Sequence, residues 1–135
     1  MVTDTGSEIY VRTVETSRVI EARAVHIGAD VLVYIWGGDR PHIGAVAAAQ
    51  PRPSLADENK RSATCSVLTY LGHKEDEIVK LVAEHLSAVL DTHVVVTAGI
   101  HWDGLDQNEI RTIGSGIEEI IGQLAAKLKK QERVS

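Results

Sequence analysis

Phenylalanine is absent from this 135-residue chain, and tryptophan and tyrosine together make up only 4% of it. A core must therefore come from Val, Ile, Leu and Ala, and Trp36 and Trp102 stand out against that background. Cysteine is as scarce: Cys65 stands alone, which excludes an internal disulfide framework and agrees with a reducing, cytoplasmic location. It falls mid-strand with no basic neighbour to lower its pKa, and reads as a core residue, not a nucleophile. Basic charge is short too, 14 Lys and Arg against 19 Asp and Glu, and no basic stripe is visible. A nucleic-acid binder needs such a stripe to neutralise phosphates, so that class is excluded. No apolar run approaches membrane-spanning length, and the first residues, Met1 to Glu8, lack the basic and apolar regions of a signal peptide. Also missing are a phosphate-binding P-loop, a Gly-x-Ser-x-Gly elbow and a Cys-x-x-Cys pair.

What is present fits one domain over residues 1–135, with loose termini at 1–7 and 130–135. Alternation predicts strands over Glu8 to Val14 and Val19 to His26; a turn at Gly28-Ala29-Asp30 precedes the strongest strand, Val31 to Trp36. His42 to Ala49, small and apolar, reads as a fourth strand, and Gln50 to Arg61, with two prolines, as an irregular loop. Ser62 to Tyr70 is a strand, Lys74 to Leu90 an amphipathic helix with acids in its first turn, and His93 to Ile100 a buried strand. Asp106-Gln107-Asn108-Glu109 resembles a capping box that opens a long final helix. The fold class is α+β: a mixed, mostly antiparallel sheet of about five to six strands with two helices on one face, in the order βββββαβα.

Three histidines sit in similar settings at loop edges: Pro41-His42-Ile43-Gly44, Gly72-His73-Lys74-Glu75 and Gly99-Ile100-His101-Trp102-Asp103. Imidazole binds divalent metals and moves protons near neutral pH, so a shared pocket would be a site. His73 and His101 follow strands joined by a helix, so both should leave the same sheet edge, where open sheets place ligands. His42 joins them only if its strand runs antiparallel to those two. A histidine alone is more often a capping or packed residue than a ligand, and His26, His85 and His93 are read that way. Asp76, Glu77 and Asp103 are close enough in sequence to supply or orient a ligand. Gly37-Gly38-Asp39-Arg40 offers backbone N–H groups beside a guanidinium, the combination that holds a phosphate, although paired glycines after a strand are usually only a turn. Trp36 and Trp102 are either core residues or platforms for a planar ring. The small-residue run Ala45 to Ala49 and the helical Gly114-Ser115-Gly116 permit close backbone approach and point to a homo-oligomer, a dimer or small ring.

The segments Gly38-Asp39-Arg40-Pro41-His42-Ile43-Gly44, Gly72-His73-Lys74-Glu75-Asp76 and Gly99-Ile100-His101-Trp102-Asp103 resemble the small D-subunit family of UbiD-type gallate and hydroxyarylic acid decarboxylases, the LpdD-like prenylated flavin chaperones. The resemblance implies an accessory protein, not itself catalytic, that binds reduced prenylated FMN or FMN and supports a UbiD-type catalytic subunit. It places His42, His73 and His101 at the cofactor; by their own chemistry Arg40 and the double glycine with Gly38 would suit a flavin phosphate, and Trp36 or Trp102 its ring. The competing reading is a stand-alone metal-dependent enzyme in which His42, His73 and His101 hold a divalent ion and Glu75, Asp76 or Asp103 acts as base.

Overall fold

The computed structural model describes residues 8–14, 16–70 and 75–134. Six strands form one sheet in the order β1-β2-β3-β6-β4-β5, made of β1 (Ile9–Arg12), β2 (Ile20–Ile27), β3 (Asp30–Gly38), β4 (Ala45–Pro53), β5 (Arg61–Thr69) and β6 (Val94–His101). Among the described residues only β3 and β6 pair in parallel; the other neighbours are antiparallel. Helix α1 (Asp76–Leu90) spans β5, β4 and β6, while α2 (Gln107–Val134) crosses β1 and β2 and packs on α1. Both helices therefore lie on one face, as the βββββαβα pattern predicts. No helix among the described residues is long and apolar enough to cross a membrane.

The core forms where the strand period of two meets the helix period of 3.6. Ile20, Ala22, Ala24, Val31, Val33, Ile35, Val94 and Val96 point toward Val82, Leu86, Ile120, Leu124 and Leu128, and all are buried. The run Ala45 to Ala49 owes its small size to this layer: Ala45, Ala47 and Ala49 are buried beneath α1, and short side chains let the helix sit close. Gly116 has the same explanation, since a Cβ there would press on Ile20 and Thr13. The opposite sheet face carries a ladder in which Trp36 stacks on Tyr34 at 5.9 Å between centroids, with Tyr10 at 6.4 Å. Trp36 thus lies outside the helix-covered core.

Two boundaries differ from the sequence reading. β4 begins at Ala45 rather than His42 and continues through Pro53, so the irregular segment shrinks to the turn between β4 and β5. The two prolines are tolerated because pairing with β6 stops at Ala49↔Val94, which leaves Pro51 and Pro53 with a neighbour on one side only. The capping box at α2 closes reciprocally: the Glu109 N–H donates to Asp106 Oδ1 at 2.8 Å and the Asp106 N–H to Glu109 Oε1 at 3.1 Å.

Candidate functional site

Strand directions decide which residues meet. β3 and β6 are parallel and β4 runs against β6, so the end of β3, the start of β4 and the end of β6 share one edge. Arg40, His42, His101 and Trp102 gather there, together with Glu75 at the N-cap of α1. His73, expected at the same edge, lies outside the described residues.

His42 is held from two sides. Its Nδ1 is 2.8 Å from the Arg40 carbonyl oxygen and its Nε2 is 2.8 Å from Glu75 Oε1. A carbonyl only accepts, so Nδ1 is the donor there. Nε2 and Oε1 then share one further proton, as imidazolium with carboxylate or as imidazole with carboxylic acid. Glu75 is only 6% exposed, and Oε2 is buried with no hydrogen-bond partner among the described residues. Room for this carboxylate comes from Gly44, where a Cβ would run into Oε2. Room for the His42 backbone comes from Gly99, where a Cβ would overlap the His42 carbonyl. By position Glu75 should cap α1, yet it makes no side-chain cap, because its carboxylate is turned toward His42.

A second cluster sits further out. His101 Nε2 lies 2.8 Å from Asp103 Oδ1 and 3.0 Å from Arg40 NH2, while Arg40 donates to Asp103 Oδ1 at 2.7 Å. Protonated, Nε2 donates to Asp103; bare, it accepts from Arg40. The His101 hydrogen bond, then the Arg40 charge, hold the Asp103 carboxyl below its ordinary value. Arg40 and Asp103 are exposed, so this ion pair adds little to stability. Gly38 adopts φ 87° against the His101 backbone, and the Asp39 N–H donates to the His101 carbonyl at 2.7 Å. The segment thus spends one of the amides expected to cradle a phosphate, that of Asp39, on joining β3 to β6.

Between the two clusters opens a cleft of about 380 Å³, lined by Glu75, His101 and Trp102, with Ile78, Ile100, Ile110 and Ile113 as apolar walls. That volume lies within the range of roughly 300–1,000 Å³ usual for small-molecule sites. Arg18 covers one side of the Trp102 ring at 5.5 Å and pairs with Glu109. Apolar walls, a ring and an acceptor without a partner among the described residues fit a planar heterocycle that carries an N–H donor. Among the described residues no group of three His, Cys, Asp or Glu side chains is placed to hold a metal ion. Arg40 beside His101 further sets a positive charge where a cation would bind.

Sequence reasoning named Glu75 only as a possible base in the metal-enzyme reading and missed its pairing with His42. Arg18 was missed altogether, and nothing in its local sequence marks it. Asp103 takes the orienting position expected for it beside His101, whereas Glu77 faces the groove between α1 and β5. His85 lines that same groove, and His93 pairs with Asp30 at 3.6 Å.

No protein of curated function matches the chain in sequence. Among solved structures it is similar to a chain in the crystal structure of a novel chaperone complex for yeast 20S proteasome assembly, at 10% identity and a TM-score of 0.45, covering 84% of this chain and 98% of that one. The model of the prenylated flavin chaperone LpdD-like domain matches residues 15–129, and on that match the chain belongs to this family.

Proposed function

We propose that this protein binds reduced prenylated flavin mononucleotide and supports the maturation of a UbiD-type aromatic acid decarboxylase, with little or no turnover of its own. The observation that carries the reading is the cleft at the sheet edge, where Trp102 and the isoleucine walls would receive a ring and buried Glu75 leaves an acceptor open. When bound, the ring would supply the prenyl-modified nitrogen heterocycle that the decarboxylase uses; loss of CO2 from an aromatic acid is redox-neutral, so no electrons are drawn from it. This chain's residues do other work: Trp102 and the aliphatic walls exclude water, the His42–Glu75 pair holds a proton beside the ring, and Arg40 meets the phosphate. The metal-enzyme reading is less well supported, because the described donors stop at His42 with Glu75 on one side and His101 with Asp103 beside a guanidinium on the other. We place this work in the cytoplasm, in keeping with the single unpaired Cys65.

Anaerobic titration of the purified protein with reduced prenylated flavin should show saturable binding, and co-expression should raise the activity of the decarboxylase. Absence of both effects, together with metal-dependent turnover of a small substrate, would refute the proposal. Self-association belongs to the same proposal, although Gly116 and the alanines of β4, which motivated it, are used inside the fold. A strictly monomeric mass by light scattering at micromolar concentration removes it.

A further inference from the structure

Glu75 lines the cleft, and its Oε2, set against Gly44, is buried and has no partner among the described residues. Burying such an oxygen unpaired costs about 1–3 kcal/mol, so the fold bears a penalty that an occupant of the cleft would relieve. The protonation pattern fixes what that occupant must be. The proton shared by Glu75 and His42 lies on the Oε1 side, between Oε1 and Nε2, whichever of the two carries it. Oε2 is therefore an acceptor in both forms. An anion or a ring carbonyl facing it would be repelled, whereas an N–H would be bound. Gly44 fixes the carboxylate against the start of β4, and the Ile100 N–H at 3.4 Å from Oε1 steadies it from β6.

We propose that Glu75 Oε2 accepts a hydrogen bond from a ring N–H of the planar heterocycle in the cleft, which for a flavin is the imide N–H between the two ring carbonyls. This rests on the flavin-binding reading above and names the contact that orients the ring within it. Glu75 is a positioning residue, and His42 acts through it by keeping the shared proton on the far oxygen.

The test is anaerobic titration of the wild type, Glu75→Gln and Gly44→Ala with two probes, reduced flavin mononucleotide and its N3-methylated analogue, with thermal melts to show that each variant is folded. The wild type should bind the parent at least about tenfold more tightly than the methylated ring, the effect of one charge-assisted hydrogen bond. Glu75→Gln removes the charge, and since its amide nitrogen turns to the bare His42 Nε2, its oxygen still faces the ring. The preference for the parent should fall roughly fivefold, the charge-assisted share of the bond, while the affinity of the analogue stays unchanged. Gly44→Ala keeps the charge but displaces the carboxylate, and should give the same loss of preference. Equal binding of both probes by the wild type, or an undiminished preference in Glu75→Gln or Gly44→Ala, overturns the assignment of Glu75 and leaves flavin binding intact. Binding of neither flavin by the wild type overturns both.

Discussion

Gly99→Ala should separate the site from the fold that carries it. A Cβ at residue 99 would overlap the carbonyl oxygen of His42, with the rest of that peptide group close behind, and backbone cannot swing aside as a side chain can. The segment that must move is pinned at both ends, by the Asp39 N–H to the His101 carbonyl at 2.7 Å and the Gly44 N–H to the Ala98 carbonyl at 2.9 Å. Forcing a methyl into such a contact costs about 1–3 kcal/mol. If the segment lifts, His42 leaves Glu75, whose side chain is only 8% exposed, and the orphaned carboxylate adds roughly another 1–3 kcal/mol. The total, about 2–6 kcal/mol, is a large part of the 5–15 kcal/mol that holds an ordinary domain together. Urea denaturation should therefore show a much lower midpoint with an unchanged slope, since the surface exposed on unfolding is the same. A loss below about 1 kcal/mol would mean that the His42 segment is free to move, and the close-approach argument would fall.

Gly114→Ala should act in the opposite sense, because Gly114 is helical and exposed with nothing within 4 Å of an added Cβ; a gain of about 0.5–1 kcal/mol in the same assay is expected, and a loss would show that the position is packed. Asp103 should titrate below its ordinary value of 3.8 by carboxyl NMR: because its folded-state value is lowered, its contribution is complete above that pH and is lost as the pH falls through the folded value, and His101→Ala should move the midpoint back up. Arg40→Ala should weaken reduced-flavin binding by about 1.5 kcal/mol, the low end for a charge-assisted hydrogen bond, since a phosphate must compete with Asp103 for an exposed guanidinium; isothermal titration reads it, and unchanged affinity would place the phosphate elsewhere.

The fold was largely legible because its signals are local. The alternation of β2 and β3, the apolar stripe of α1 and the Asp106–Glu109 box each specify an element within a few residues. What misled was chemistry whose meaning depends on a neighbouring strand. Pro51 reads as a breaker until it is known that β6 stops pairing with β4 at Ala49, and Ala45 to Ala49 reads as an interface until α1 is seen above it. The site divides in the same way. That His42 and His101 reach one edge follows from strand direction, which the order of elements supplies. That Glu75 turns from the cap of its helix to His42 follows from the missing Cβ of Gly44, a contact between residues 31 positions apart. A Glu before a helix with acids in its first turn is an ordinary sight, and its sequence context says nothing of burial. Gly44 and Gly99 were both inside the quoted motifs, but as parts of expected strands with no role of their own; their common function is to leave space, one for a carboxylate and one for the backbone of the residue that pairs with it. Glycines flanking a buried acid and its histidine are thus a signal of this site that acts through what they lack, and it becomes readable only once β4 and β6 are known to lie side by side.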